Sequence, residues 1–133
     1  MNPDLEPGVA AVVLGYPEAV RERVLELRRL LYDVADELEV GAIDEKLRWG
    51  EPGFRVKGGT TVRLHCKHPA SGKVGFFVPC STDLAASYRA RHPELEIEGD
   101  RVVWLPLEGP LPEEALRDCI ALAWTYHRRR QRA

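Results

Sequence analysis

One long amphipathic segment constrains the fold of this chain more than any other feature. The apolar residues between Pro17 and Leu38 recur at spacings of four and three. They are Val20, Val24, Leu27, Leu31, Val34 and Leu38. An α-helix has about 3.6 residues per turn, so this spacing places them on one face. Because Pro17 suits a first helical turn and Gly41 suits an exit, we predict one helix between them, with an apolar face that needs a second layer to pack on.

The segment after this helix has the two-residue period of β-strands. Between Thr60 and Lys67, polar or charged residues alternate with apolar ones, so one side of a strand there is apolar. Turn sequences precede and follow this strand, namely Lys57-Gly58-Gly59 and Pro69-Ala70-Ser71-Gly72. We therefore predict a hairpin from Thr60 to Val78 with one buried face, and a further strand from Arg101 to Leu107.

Two shorter helices are predicted further along the chain. Ser81-Thr82-Asp83 offers side-chain oxygens that cap a helix start, with Leu84 and Tyr88 directed inward. Pro112 begins the last helix. Its apolar face consists of Leu116, Ile120, Ala123 and Trp124. The loops between strands are too short for parallel crossovers. We therefore predict an α+β fold, a two-layer sandwich of a mainly antiparallel sheet with the N-terminal and C-terminal helices packed on one face.

Length and composition limit the classes of protein that fit. A chain of 133 residues with 44% hydrophobic content suits one domain, which we place at residues 1–133 with its core at about 17–130. The net charge of -2 gives no reason to expect a nucleic-acid partner. The three cysteines, Cys66, Cys80 and Cys119, are odd in number and form no CxxC pair, which indicates reduced thiols.

The N-terminal sequence indicates a cytoplasmic protein. MNPDLEPG is acidic, and no basic region leads into an apolar run. The apolar run that follows, Val9 to Leu14, is far shorter than the roughly 20 residues that a membrane span needs. We therefore expect a cytoplasmic location and no membrane partner.

A short stretch, Trp49 to Phe54, combines a tryptophan, a carboxylate and residues that bend the chain. Gly50 and Pro52 lie on either side of Glu51; glycine permits backbone turns and proline fixes φ. One interpretation is a kink between two strands in which Trp49 fills the core. The other is that the kink holds the Glu51 carboxylate at the lip of a pocket walled by Trp49 and Phe54, where it acts as a ligand or a base.

Three groups of residues suggest chemistry, and each has a plainer explanation. His65, Cys66 and His68 are zinc-ligand types, but a strand directs His65 away from the other two, so we predict no metal site there. Cys80 precedes a helix, whose N-terminal dipole favours a reactive thiol; a small buried residue also fits this place. An acidic stripe on the first helix suits hard cations, yet the arginines among its members are typical of a solvated face with ion pairs. The stripe consists of Glu18, Glu22 and Glu26.

Four stretches of the chain, taken in order, carry a resemblance to a known family. They are KLRWGEPGF, GGTTVRLHCK, VGFFVPCSTDL and EGDRVVWLPLEGPLPEEALRDCIALAWTYHRRR. They contain a Trp-Gly-Glu-Pro turn, a Gly-Thr-Thr-x-Arg strand, a Cys-x-Thr helix start and a Tyr-His pair, at Trp49–Pro52, Gly59–Arg63, Cys80–Thr82 and Tyr126–His127. From Val20 to Arg130 the chain resembles the YdhG-like family, a bacterial domain of unknown function. The resemblance implies an α+β fold. Because some members are associated with frataxin-like iron delivery, it also makes iron a cofactor to test.

The residues of the matched segments that packing explains least define the predicted site. They are Trp49, Glu51, Arg63, Cys80, Tyr126 and His127. We predict that this site binds a small anion without catalysis, with Arg63 and His127 on the anion and Trp49 stacked on it, because a guanidinium grips a carboxylate or phosphate through two hydrogen bonds. The structural alternative is that Arg63 pairs with Glu51 and fixes the turn.

Three other functions stay open. One is an iron chaperone that carries the metal on the carboxylates of the first helix. Another is a thiol enzyme with Cys80 as nucleophile and His127 as base. The last is an interaction protein that forms a homodimer through a sheet edge or a helix face.

Overall fold

Five α-helices and six β-strands follow one another along residues 2–131, the part of the chain that this computed structural model describes. The helices are α1 (Pro7–Leu14), α2 (Glu18–Leu38), α3 (Leu84–Arg91), α4 (Glu113–Trp124) and α5 (Tyr126–Gln131). The strands are β1 (Asp44–Arg48), β2 (Glu51–Arg55), β3 (Val62–His65), β4 (Lys73–Phe77), β5 (Glu96–Glu98) and β6 (Val102–Pro106). A turn of 3-10 helix, Pro69–Ser71, joins β3 to β4. Within this part of the chain, no helix combines the length and the apolar character that crossing a bilayer requires.

The strands form one antiparallel sheet in the order β1-β2-β3-β4-β6-β5. The hairpin predicted between Thr60 and Val78 is β3 with β4, and its register places Arg63 opposite Phe77. The predicted strand near the C-terminus is β6, which pairs with β4 and β5. Helices precede, interrupt and follow these strands, so the α+β prediction is confirmed.

The core lies between the helices and one face of the sheet. Successive residues of a strand point to opposite faces, and one alternate set in β3, β4 and β6 is buried. This set consists of Val62, Leu64, Val74, Phe76, Val103 and Leu105. The apolar side of α2 joins the same cluster, and the indole N–H of Trp124 in α4 donates to the Leu31 carbonyl of α2 at 3.3 Å. Each fully buried side chain of this size stabilises the fold by about 1.5–3 kcal/mol.

Helix α1 and strand β5 were not predicted, and neither was the division of the last helix into α4 and α5. Helix α1 contains Val9 and Val13 on its buried side, and the Glu6 carboxylate caps it by accepting from the backbone N–H of Val9 at 3.2 Å. Its residues are nearly all apolar, so they show no contrast between faces from which a helical period can be read. Strand β5 has three residues, two of them charged, which is too short for an alternating pattern.

A buried polar cluster around Glu45 fastens the N-terminal segment to α2 and β1. The Glu45 carboxylate accepts from Arg28 Nε at 2.9 Å, from the Tyr32 hydroxyl at 2.6 Å and from the backbone N–H of Glu6 at 2.9 Å. The Arg28 and Glu45 side chains are 8% and 5% exposed. Arg28 Nη2 also donates to the carbonyl of Pro3 at 2.8 Å. Burial, followed by the hydrogen bond to Glu45, raises the pKa of Tyr32.

Candidate functional site

The face of the sheet away from the helices carries polar and aromatic side chains. Pleating directs Arg63 and His65 of β3, Phe77 of β4 and Trp104 of β6 to this side, and all four are half-buried. We call it the open face. Since the opposite face supplies the core, the accessible parts of these side chains are where a ligand could make contact.

The β1–β2 turn places a tryptophan in solvent. Trp49 and Gly50 both have positive φ, 58° and 76°, which is the conformation of a two-residue type I′ hairpin turn. Tryptophan is unusual there, because a side chain in the left-handed region costs about 1–2 kcal/mol. The predicted bend is confirmed, but the interpretation of Trp49 as core filler is wrong, since Trp49 is 91% exposed. Phe54 is fully buried and therefore does not form a pocket wall.

Glu51 holds the side chain of Arg63. Its Oε1 accepts from Arg63 Nη1 at 2.7 Å, so the structural pairing considered from the sequence is present. His65 Nε2 lies 3.7 Å from the other carboxylate oxygen, and His65 Nδ1 is 3.1 Å from the Tyr16 hydroxyl. Burial lowers the pKa of His65, and the Glu51 carboxylate acts in the opposite direction. The guanidinium of Arg63 is thus held on the open face by one of its nitrogens, and no other hydrogen bond from it is found within residues 2–131.

Gly53 lets a second arginine lie across the same face. A Cβ at Gly53 would stand 2.8 Å from Arg48 Cδ, so a larger residue would displace the Arg48 side chain. Gly53 is the register partner of Arg63, which brings Arg48 toward that residue. Arg48 Nη2 is tied to the Asp44 carboxylate at 3.0 Å. The absence of a side chain at Gly53 therefore lets the Arg48 side chain lie across β2, next to the strand that carries Arg63.

These residues meet in a pocket of about 310 Å³ that we call the arginine pocket. Its lining comprises Arg48, Trp49, Thr61, Arg63, Val78, Pro79, Cys80, Ser81 and Arg101. The described part of the chain contributes three arginines to this lining and no carboxylate. Three of the six predicted site residues, Trp49, Arg63 and Cys80, are brought together here, and Glu51 supports them from the side.

Arg101 was missed by sequence reasoning. It reaches the pocket because the backbone N–H of Val78 donates to the Arg101 carbonyl at 2.8 Å, which aligns the start of β6 with the end of β4. Its side chain is 59% exposed and has a loose contact, 3.8 Å, with the Asp100 carboxylate. The charge at a predicted strand start was the available signal, but the pairing of β4 with β6 was not readable from the sequence.

Tyr126 and His127 lie in a different pocket of about 450 Å³. Its lining comprises Thr60, Pro79, Ser81, Thr82, Tyr126, His127, Arg130 and Gln131. Gly59 approaches the end of α4 so closely that a Cβ there would be 2.7 Å from the Trp124 carbonyl oxygen, and the N–H of His127 donates to the Gly58 carbonyl at 3.0 Å. These contacts direct α5 away from the arginine pocket. Arg63 and His127 are therefore not brought into one site, although Pro79 and Ser81 line both pockets.

The three cysteines have different surroundings. Cys66 and Cys119 are buried, and burial raises the pKa of both thiols, to about 12 for Cys119. Cys80 is exposed, so its interpretation as a small buried residue is wrong. It lies in the turn before α3, which begins at Leu84, and therefore outside the first helical turn, where the helix dipole acts. No hydrogen bond joins Cys80 to His127 within residues 2–131.

Metal-binding groups are dispersed. Across residues 2–131, no three His, Cys, Asp or Glu side chains are grouped so as to hold an ion. Cys66 is buried and donates to the Lys73 carbonyl at 3.3 Å, while His65 is on the open face. In the acidic stripe of α2, Glu26 is paired with Arg23 at 2.9 Å. Iron binding by this helix stays a prediction.

A larger pocket of about 640 Å³ adjoins the arginine pocket on the open face. We call it the aromatic pocket, because the rings of Phe77 and Trp104 are in its lining. These rings meet edge to face, with centroids 5.8 Å apart. The Phe77 ring covers Gly75, where a Cβ would collide with it. Arg101 lines both pockets, so the two adjoin at this residue.

The fold and the site define a class of protein: an α+β sandwich whose antiparallel sheet has helices on one face and arginine-lined and aromatic pockets on the other. No protein-family model matches the chain, and no curated protein matches it significantly. A solved protein structure, however, matches the fold of the chain. The chain is similar to the crystal structure of YdhG, a protein of the DUF1801 family from Bacillus subtilis, with a TM-score of 0.61.

The similarity to YdhG extends over most of both chains. It covers 88% of this chain and 89% of that chain at 13% sequence identity. The YdhG-like resemblance predicted from the motifs is confirmed as a shared fold. At this identity the similarity carries no residue roles, and the function has to be argued from the site itself.

Proposed function

We propose that this chain is a non-catalytic binding module for a small anion, which it holds in the arginine pocket. The observation that carries the proposal is the convergence of Arg48, Arg63 and Arg101 on one pocket, while the carboxylates that pair with them lie outside its lining. The net charge of the whole chain is -2, so the general surface does not attract anions. A local group of guanidiniums in such a chain supports a specific site.

The preorganisation of Arg63 supports the same function. Glu51 engages one terminal nitrogen, Nη1, which orients the planar guanidinium without using the rest of its five N–H donors. A side chain that is already ordered loses less conformational entropy when it binds. The exposed indole of Trp49 lies in the lining of the same pocket, where it can pack against an apolar or planar part of a ligand that carries the anion.

Calorimetric titration with inorganic phosphate at low ionic strength tests the proposal. We expect Arg63→Ala and Arg101→Ala each to weaken binding about tenfold or more, because a hydrogen bond to a charged group contributes about 1.5–3 kcal/mol. Arg29→Ala is the matched control: it removes the same charge from an exposed position on α2, outside the pocket. Arg101 is 59% exposed and its replacement leaves the Glu51 pair intact, so we expect Arg101→Ala to change stability little.

Two results would reject the proposal. The first is that phosphate does not bind at all. The second is that Arg29→Ala weakens binding as much as Arg101→Ala, which would indicate general electrostatic attraction rather than a site.

A thiol-dependent activity is the second candidate function. It is supported by the exposure of Cys80 in the lining of the arginine pocket, since reactive cysteines occur in electropositive, partly exposed surroundings. His127 does not serve as its base in this arrangement, because it lines the neighbouring pocket. Enzymatic turnover would need a base from the ligand or from solvent. An iron chaperone has no comparable support within residues 2–131, where no ligand cluster is found.

A further inference from the structure

The aromatic pocket supplies a second half to the proposed anion site. Arg63 and Phe77 are register partners on neighbouring strands, and the guanidinium carbon of Arg63 lies 5.4 Å from the Phe77 ring centroid. The Phe77 ring in turn contacts Trp104 edge to face. The Arg63 guanidinium, the Phe77 ring and the Trp104 ring therefore contact one another in sequence across β3, β4 and β6, from the arginine pocket to the aromatic pocket.

We propose that the ligand is an aromatic anion of the mononucleotide kind, with its phosphate in the arginine pocket and its planar ring against Phe77 and Trp104. The inference rests on the proposed function and specifies its ligand. Aromatic side chains at the end of a basic groove are the platform on which proteins stack nucleobases. Each of the two pockets has a volume in the range of small-molecule sites, about 300–1,000 Å³.

Contacts within the protein hold the Trp104 and Phe77 side chains at the place proposed for the planar ring of the ligand. The indole N–H of Trp104 donates to the Glu98 carboxylate at 2.8 Å, which fixes the ring plane. The Phe77 ring is held above Gly75, where no side chain competes for space. Trp104 is half-buried, so one part of its surface packs and another is accessible. A fixed and partly accessible ring stacks at low entropic cost.

Charge around the aromatic pocket favours one phosphate and a ring with N–H donors. Glu96, Glu98 and Asp100 are in its lining, at the side away from Arg63. Their carboxylates accept hydrogen bonds from amino groups and repel a second phosphate. Lys73 neutralises Glu96 at 2.7 Å, which leaves Glu98 and Asp100 as the other carboxylate acceptors of the lining. This distribution disfavours an oligonucleotide, whose successive phosphates would meet these acids.

Calorimetric titration with three probes tests the inference: inorganic phosphate, ribose 5-phosphate and adenosine 5′-monophosphate. We expect the nucleotide to bind the unaltered chain about tenfold tighter or more than ribose 5-phosphate, from stacking of its base. Trp104→Leu should remove this advantage and leave phosphate affinity unchanged, since Trp104 is outside the arginine pocket. The comparison of the two sugar phosphates uses the unaltered chain, so it stands even if the variant does not fold.

Three other outcomes overturn the inference. If phosphate binds but the nucleotide binds no tighter than ribose 5-phosphate, the inference is overturned and the proposed function stands. If none of the three probes binds, both are overturned. If the nucleotide is preferred and Trp104→Leu keeps that preference, the ring does not lie in the aromatic pocket and the inference is overturned.

Discussion

Removal of Glu45 is expected to destabilise the whole fold, although this residue is in β1 and far from the sheet centre. Its carboxylate compensates Arg28, whose side chain is 8% exposed, and accepts from the Tyr32 hydroxyl and the Glu6 backbone N–H. The Glu45→Ala substitution leaves a buried guanidinium without its counter-charge. Breaking a buried ion pair in this way costs about 3–5 kcal/mol.

The matched control is an arginine–glutamate pair at the surface. Arg117 Nη1 and Glu37 Oε1 are 2.7 Å apart, close to the 2.9 Å of the Arg28–Glu45 pair, but these side chains are 37% and 60% exposed. Because exposed pairs contribute about 0–1 kcal/mol, Glu37→Ala should change the free energy of unfolding by less than 1 kcal/mol. The comparison therefore separates burial from the mere presence of an ion pair.

Urea unfolding followed by circular dichroism measures both variants. We expect Glu45→Ala to lower the free energy of unfolding by about 3 kcal/mol or more. In a domain of this size that corresponds to a fall in Tm of about 10 °C. If Glu45→Ala costs no more than Glu37→Ala, the Glu45 cluster does not fasten the N-terminal segment and the reasoning is refuted.

Three further predictions concern the turn, the acidic limit of stability and the exposed thiol. Trp49→Asn should raise the free energy of unfolding by about 1 kcal/mol, because asparagine tolerates the left-handed conformation; a loss of stability in urea unfolding would contradict this. Hydrogen bonding to Arg91, and secondly to His92, lowers the pKa of the Asp118 carboxyl in the folded protein. The ionised carboxylate therefore stabilises the fold fully above the unfolded carboxyl pKa of about 3.9, and this stabilisation is lost as the pH falls through the lowered folded pKa. Asp118→Asn should therefore flatten the acid side of the stability profile below about pH 4, and an unchanged profile would count against the assignment. In the folded protein only the exposed thiol of Cys80, among the three cysteines, should react quickly with dithionitrobenzoate. In the Cys80→Ser variant, reaction should require unfolding. Two fast-reacting thiols in the unaltered chain would contradict the burial of Cys66 and Cys119.

The parts of the fold that were predicted are those with a strong period. Helix α2 repeats apolar residues over five turns, and the β3–β4 hairpin alternates with turn sequences at both ends, so each pattern indicates a single structure. Helix α1 was missed because its apolar residues surround the whole helix, and β5 because it is too short for a pattern.

The candidate site was predictable in its residue types but not in its grouping. Trp49 and Arg63 stood out because a packing account explains them poorly, and they do share a pocket. Arg101 was missed and His127 was wrongly grouped with Arg63, since both placements depend on contacts distant in sequence. The first depends on the pairing of β6 with β4, and the second on the approach of Gly59 to α4. Strand order and helix docking of this kind leave no local trace in the sequence.

The order of the strands has a consequence for how the chain folds. Strands β1 to β4 are neighbours in the sheet in the order in which they occur in the chain, and β5 pairs with β6, the next strand. Four of the five strand pairings therefore need only short loops to close. Local contacts of this kind lower the contact order and speed folding. The Trp124–Leu31 hydrogen bond instead joins residues 93 positions apart, so forming it costs more loop-closure entropy. We therefore expect β1 to β4 to pair before α4 docks on α2. Because the contacts of Trp124 then form late, a substitution at Trp124 should mainly increase the unfolding rate.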